Sequence, residues 1–517
     1  MADSEFLKSD APRGLVARLL DLIERVGNRL PDPVTIFVLL GALTLLASWL
    51  VSASGVQVAN PADGRLISAV NLLSRDGVQT VLSGVVSNFT SFAPLGTVLV
   101  AMLGIGVAER TGLFSALLKA LVMAVPRAAV TPTVVFAGIM SNVASDAGYV
   151  ILPPLAAMLY GTLGRHPVAG VAAAFAGVSG GFSANLMLST LDPMLAGLTQ
   201  ENARILDAGY EVLATANYYF MFASVFMLTA VGWFVSDRIV EPRLGPWTGG
   251  AEAALDGESP HIEPIERRGL IVAGLAVLVT VGIVLVLVVP SGAPLRDAKT
   301  GGIKPFYDSL VGLLMIVFLV PGLAYGLVTR KIRSDRDASK MMGQTMSAMG
   351  TYVVMAFFAG QFVAWFRVSE LGRMIAIAGA DFLKSVGFTG VPLMISFVIV
   401  AALINLFMSS ASAKWAIMAP VFVPMLMALG YSPEATQCLY RVGDSVTNCI
   451  TPLNVYFPII IAVVQRYLPK AGLGTLISAM LPYSIAFWLA WTAMVAIWLT
   501  VDLPLGPGAP LTYPPPG

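Results

Sequence analysis

Five ionisable residues lie deep in apolar sequence: Asp146, Asp192, Lys414, Arg441 and Asp444. A charge left unpaired in hydrocarbon is expensive, so each is a candidate for handling a substrate, an ion or a proton. Arg441 and Asp444 stand three apart and therefore share a face if helical. Two readings stay open for them. Either they neutralise each other, or Arg441 offers its planar fork to a substrate carboxylate and Asp444 is free to carry a proton or face a cation. Asp146, in 141-SNVASDAG, and Lys414, in 409-SSASAKW, occupy nearly equivalent places in two apolar blocks. They form an ion pair that fixes the packing of the blocks, or they belong to two broken segments facing a common site. Asp192, in 189-STLDPM, follows a stretch rich in Gly, Ser and Asn at 177–185, and Pro193 is expected to hold it out of helical geometry. It suits cation or proton handling, or else a helix cap.

Asn142, Asn185, Asn405, Asn448 and Asn454 add neutral oxygen donors. Beside unwound backbone carbonyls they are the ligands a sodium site takes, and Asn142, Asn405 and Asp444 mark the place where sodium is expected. Singly, each is equally an interhelical hydrogen bond. Trp415, directly after Lys414, offers a plane for an aromatic substrate, or a membrane-interface anchor. The rest of the composition excludes much. The chain has only two histidines (His166, His261) and two cysteines (Cys438, Cys449), so zinc clusters and a disulfide framework are not expected. With 31 basic and 30 acidic residues it has no electrostatic footprint for nucleic acid. No organic cofactor is expected, only a coupling ion, Na⁺ or H⁺.

The elements that must position these residues are membrane helices. Of 517 residues 57% are hydrophobic and only 12% charged, about half the share of a soluble domain. Runs of about 20 apolar residues are the rulers for spans, and they fall at 34–51, 215–236, 269–290, 309–329, 385–413 and 471–501. Lys8, Arg13, Arg18, Arg25 and Arg29 put the amphipathic N-terminal segment 1–33 in the cytoplasm; the connector 237–268 and the basic loop ending at Lys340 follow it there. The Pro-rich tail 502–517 carries no basic residue and is expected outside. The first half, 34–236, and the second, 341–501, are separated by the connector and by two central spans in 269–340. The side changes require an odd number of crossings in 78–236 and in 341–501, in opposite directions. Three in each block, with the remaining spans, make about nine. The surplus apolar sequence is expected to form two re-entrant hairpins, tolerated at membrane depth where buried in protein.

The blocks also match in sequence. A shift of 266 residues places Ile151 on Ile417, Pro154 on Pro420, Gly164 on Gly430, Pro167 on Pro433, Gly177 on Gly443 and Ser179 on Ser445. Repeats of opposite direction with broken helices are the architecture of secondary transporters, whose sites lie near the midplane. The fold class read from this is an all-α polytopic membrane protein built as an inverted repeat.

The segments 141-SNVASDAGYVILPPLAA, 177-GVSGGFSANL, 189-STLDPMLAG, 408-MSSASAKWAIMAPVFVPMLMALGYSPE and 441-RVGDSVTNCITPLNVYFP resemble the p-aminobenzoyl-glutamate transporter (AbgT) family, over nearly the whole chain. The resemblance implies a homodimer in the bacterial inner membrane, with nine spans and two hairpins per protomer. It implies uptake of p-aminobenzoyl-glutamate and, in some members, export of p-aminobenzoate and sulfonamide antimetabolites. Carried over by motif, its functional positions are Asp192, Asn405, Ser412, Trp415, Arg441, Asp444 and Pro452. On this reading Ser412, Trp415, Arg441 and Pro452, with Asn185 and Lys414, face the substrate. Asp192, Asp444 and Asn405, with Asp146, Asn448 and Asn454, serve ion or proton coupling. The rivals are a small-solute channel and an intramembrane enzyme using Asp192 and Asp444, though the Gly-x-Gly-Asp context of such a dyad is absent around Asp444.

Overall fold

The protein is described by a computed structural model covering residues 31–513 apart from 60–63, 125, 127–128, 145–146 and 249–261. Asp146, His261, most of segment 1–33 and part of the connector lie outside the described residues.

The first span, α1 (Pro33–Ser54), shows how the helices are delimited. The Asp32 carboxylate accepts the Val34 N–H at its start, Pro33 occupies the first turn, and Gly55 ends it with φ at 69°. Its Leu39 and Leu43 are more than half exposed, as a face turned to lipid requires. After a short hairpin, β1 (Gln57–Ala59) paired antiparallel with β2 (Leu66–Ser68), the chain runs through α2 (Ala93–Arg110). Two arms follow, α3 (Val130–Ser141) and α4 (Ala147–Thr162). At 12 residues α3 is about 18 Å long, too short for a hydrocarbon core of about 30 Å. The chain turns back at its tip, and the Arg165 guanidinium beyond α4 donates to Thr131 Oγ1 at the start of α3 (2.8 Å). That bond closes the base of the first hairpin.

Next comes a helix in two pieces. α5 (Pro167–Phe175) loosens into a π-turn at Ala176–Gly180, and the chain stays non-helical until α6 (Leu191–Ala203). α7 (Tyr218–Val235), α8 (Pro264–Val288), α9 (Leu310–Val328) and α10 (Gly350–Val368) are continuous spans. α11 (Leu371–Ser385) leads to a second pair of arms, α12 (Gly390–Asn405) and α13 (Ala411–Ala428). Their base is closed by Gly390 N–H donating to Tyr431 Oη (2.8 Å) and Lys384 Nζ donating to Ala428 O (3.2 Å). A second broken helix, α14 (Pro433–Val446) and α15 (Phe457–Gln465), precedes the last span, α16 (Leu473–Val501). Among the described residues eight helices are long and apolar enough to cross a membrane, α13 among them. With each broken helix counted as one crossing and the arms α3, α4, α12 and α13 as two re-entrant hairpins, the count is nine crossings. The run 385–413 is therefore not one span. It holds the end of α11, the arm α12 and a tip, because a turn made of Asn, Ser and Met without charge is invisible to a hydropathy ruler.

The hairpins open to opposite faces. The base of the first binds the far end of α7: Arg165 pairs with Glu241 and with Asp237 (2.6 Å), and Thr131 donates to the same Asp237 (2.8 Å). The base of the second binds the tail, where Ser432 N–H donates to Leu511 O (3.0 Å), and the tail's Leu505 O accepts the Tyr219 N–H at the near end of α7 (2.9 Å). The matched glycines have one job in both halves. A Cβ on Gly177 would stand 2.4 Å from Val135 O of α3, and one on Gly443 would stand 2.5 Å from Val398 O of α12. Each broken helix thus crosses the first arm of its hairpin at backbone contact, which only glycine permits.

Candidate functional site

The broken stretches of the two halves meet, and the buried charges meet there with them. Asp192 lies in the first turn of α6. Its Oδ2 accepts from Ser189 N–H (2.7 Å), Ser189 Oγ (2.9 Å) and Asn185 Nδ2 (3.1 Å); its Oδ1 receives Arg441 Nη1 at 2.7 Å. Arg441 Nη2 donates to Ser183 O (2.8 Å), a carbonyl that the first break leaves outside any helix. Asp192 is thus helical, contrary to the expectation from Pro193. A proline in the first turn removes an N–H that had no intrahelical acceptor, so it does not break the helix there. The carboxylate ties down the chain just before the helix and pairs with arginine, without capping the helix itself.

A second cluster surrounds Lys414, which is fully buried. Its ammonium pairs with Asp444 Oδ1 (2.5 Å), donates to Asn405 Oδ1, and donates to Met408 O (3.1 Å). The Asn405 amide donates onward to Asp444 O (2.7 Å), Thr447 Oγ1 (2.9 Å) and Asn448 Oδ1 (2.8 Å). Tyr440 Oη bridges Ala411 O (2.5 Å) and Asp444 Oδ1 (3.2 Å). The pairing in the structure is therefore Arg441 with Asp192 and Lys414 with Asp444. Arg441 and Asp444 share α14 without sharing a salt bridge, because each finds an opposite charge on another element.

Trp415 stacks on Tyr440, ring centres 4.4 Å apart, and its indole N–H donates to Thr199 Oγ1 (2.9 Å). Thr199 donates to Gln437 Oε1 (2.6 Å), whose amide donates to Asn217 Oδ1 (2.9 Å). Asn454, in the second break, donates to Asn448 O (3.0 Å) and to Ser179 Oγ in the first (3.4 Å). Ser445 Oγ accepts the Ser183 N–H (3.2 Å), and Tyr149 of α4 stacks on Tyr456 at 4.2 Å. Ser412 and Pro452 are half-buried beside these groups, Ser412 with its hydroxyl 3.4 Å from that of Ser410. Asn142 lies elsewhere, at the tip of the first hairpin, so the structure joins Asn405 to Asp444 but not to Asn142, and the Lys414 ammonium stands between that pair. Thr199, Gln437, Tyr440, Ser183 and Ser189 complete the site without having been singled out. Gln437, Tyr440, Arg441, Asp444 and Asn448 recur at helical spacing, a polar stripe that points to the second and third of these positions; nothing in the sequence marks Thr199.

Two features set what the site can do. Arg441 Nε is buried with no hydrogen-bond partner, so the guanidinium keeps an unused donor. And among the described residues no group of three or more His, Cys, Asp or Glu is placed to hold a metal. An apolar groove of about 490 Å³ between α1, α10, α11 and α13, lined by Leu43, Phe366, Met374 and Ile417 among others, shares no residue with this site.

Nine crossings, two opposed hairpins and a charged site between two helix breaks define a polytopic membrane transporter. Residues 18–513 match the model of the "AbgT putative transporter family". The chain is 38% identical over 493 residues to the p-aminobenzoyl-glutamate transport protein of Escherichia coli (strain K12), covering 95% of this chain and 96% of that one. It superposes on the Alcanivorax borkumensis YdaH transporter, described as having an unusual topology, with a TM-score of 0.88 at 44% identity, covering 92% of this chain and all (100%) of that one. With Neisseria gonorrhoeae MtrF, described as illuminating a class of antimetabolite efflux pumps, the TM-score is 0.90 at 48% identity, covering 95% of this chain and 100% of that one. The protein belongs to the AbgT family of transporters.

Proposed function

We propose that the protein is an ion-coupled carrier of p-aminobenzoyl-glutamate and related aminobenzoates, which also moves p-aminobenzoate and sulfonamide antimetabolites outward. On this reading it works as a homodimer in the bacterial inner membrane, its N-terminus in the cytoplasm. The observation that carries the reading is the Arg441–Asp192 pair, which joins the broken helices of the two halves. An anionic aromatic solute needs a cationic fork and an apolar surround, and Arg441 is the fork. Its two Nη groups are already engaged, so a substrate carboxylate reaches them only when Asp192 yields. Protonation of Asp192, or a cation bound against it, accomplishes that. Ion and anion then favour each other's binding, and the coupling is reciprocal.

Ser412 and Pro452 line the approach, and Asn185 and Ser189 hold Asp192 in place. Lys414 and Asn405 keep Asp444 in register, with Asn448 and Asn454 joining that cluster to the first break. The test is uptake of labelled p-aminobenzoyl-glutamate into proteoliposomes under an imposed Na⁺ or H⁺ gradient. Accumulation above the outside concentration, abolished by collapsing one gradient, is expected and names the ion. Equilibration without accumulation under either gradient would replace the carrier by a facilitator.

A further inference from the structure

The second hairpin tip carries a cation of its own. Asn405 is the last residue of α12, and its side-chain oxygen accepts from the Lys414 ammonium. The same ammonium touches Met408 O in the tip and Asp444 Oδ1 on α14. A carboxamide oxygen, a freed backbone carbonyl and a carboxylate, placed where a half-helix ends with its negative dipole end, are the donors with which broken-helix carriers hold a monovalent cation. Here they hold an ammonium borne on the chain itself. In the first hairpin Asn142 follows directly on α3, and its Nδ2 donates to Ile139 O (3.1 Å) while its Oδ1 is buried without a partner. The shift of 266 residues puts Gly148, which has no side chain, opposite Lys414. So each tip supplies an amide oxygen, although the shift puts Asn142 on Met408 rather than on Asn405, and only the second supplies a tethered cation at the position of Lys414.

We propose that Lys414 is a built-in monovalent cation. Its ammonium occupies an oxygen-lined site in the second half that would otherwise bind a free ion, and shortening residue 414 opens that site to one. Lys414 thereby removes an ion from the transport cycle in this half and leaves the halves unequal. The inference concerns ion occupancy and is independent of which solute is carried.

The experiment is the thermal unfolding of purified full-length protein titrated with NaCl, KCl or NH₄Cl, with choline chloride holding ionic strength constant. In Lys414→Ala, one of the small cations is expected to raise the melting temperature, by about 2–3 °C at a hundredfold excess over its dissociation constant and rising with the logarithm of its concentration, beyond any response of the wild type. Lys414→Met fills the space with an apolar stem and should show no such rise, and adding Asp444→Asn to Lys414→Ala should abolish it. A Lys414→Ala protein that is monodisperse and melts at one temperature in all four salts would overturn the proposal and leave a plain ion pair. So would a Lys414→Ala protein that cannot be purified in any of them, since a filled site would hold the tip together. Because the readout is stability, it fails or succeeds separately from any transport assay.

Discussion

Arg441 and Asp192 stand 249 residues apart in the chain and meet with Nη1 2.7 Å from Oδ1, both almost wholly shielded from solvent. One belongs to the broken helix of the second half and the other to that of the first, so this single contact ties the two halves at their centre. Removing one partner strands a buried charge, which costs about 3–5 kcal/mol, whereas replacing both by apolar groups of similar size is often neutral. Arg441→Met and Asp192→Leu should therefore each lower the melting temperature sharply. The double variant should recover most of the loss while remaining inactive in transport. A double variant as unstable as the sum of the singles would mean that the two side chains act independently.

If Arg441 serves a substrate carboxylate, its loss should be felt unequally by different solutes. p-Aminobenzoyl-glutamate has two carboxylates; a sulfonamide keeps the aminophenyl ring without them. In proteoliposomes Arg441→Ala should suppress transport of the first far more than of the second. Equal loss for both would remove Arg441 from substrate recognition and return it to a packing role.

Trp415 is wholly buried, with its ring on Tyr440 and its N–H on Thr199. Thr199→Val keeps the shape but leaves the indole N–H and Gln437 Oε1 without their partner. Stranding buried polar groups costs about 1–3 kcal/mol each. A measurable drop in stability is expected, with the stack of Trp415 on Tyr440 left in place. If Thr199→Val melts like the wild type, the Trp415 indole is held by packing alone.

These contacts mark where sequence reasoning stops. Charge-free runs and the placement of Lys and Arg carry the crossing count, because both report directly on the solvent a segment meets. The shift of 266 residues is legible for the reason seen at Gly177 and Gly443: each sits where two backbones touch, and no other residue fits. The arm α12 within 385–413 was not legible, since a turn formed by Asn405 to Ser410 leaves no mark on average hydropathy. Nor were the partners. Arg441 is three residues from Asp444 and 249 from Asp192, yet it bonds to the distant one. Spacing along a helix describes which groups share a face, and partners across the bundle are set by tertiary packing.

The glycine argument makes a paired prediction. Gly177→Ala and Gly443→Ala each place a methyl at about 2.4–2.5 Å from a carbonyl oxygen of the neighbouring arm, so backbone must shift. Overpacking of this kind costs about 1–3 kcal/mol. Both variants should be destabilised by similar amounts, as measured by thermal unfolding in detergent. One neutral and one severe variant would show that the two halves do not pack equivalently at this crossing.

The opposed hairpins can be tested from outside the cell. Thr162 ends the second arm of the first hairpin and Ser385 precedes the first arm of the second; both are exposed, while the native Cys438 and Cys449 are buried and should not react. The base of the first hairpin lies with Arg165 and the end of α7, near Arg238 and Arg243, the side that basic residues mark as cytoplasmic. Ser385→Cys should therefore react with a membrane-impermeant maleimide on intact cells, and Thr162→Cys only after the membrane is opened. The reverse pattern would invert the whole assignment of sides. Labelling of both from one side would contradict the inverted repeat itself, since Arg165 at the base of the first hairpin binds Asp237 past one end of α7, while the tail that bonds to Ser432 beyond the second hairpin binds Tyr219 at the other.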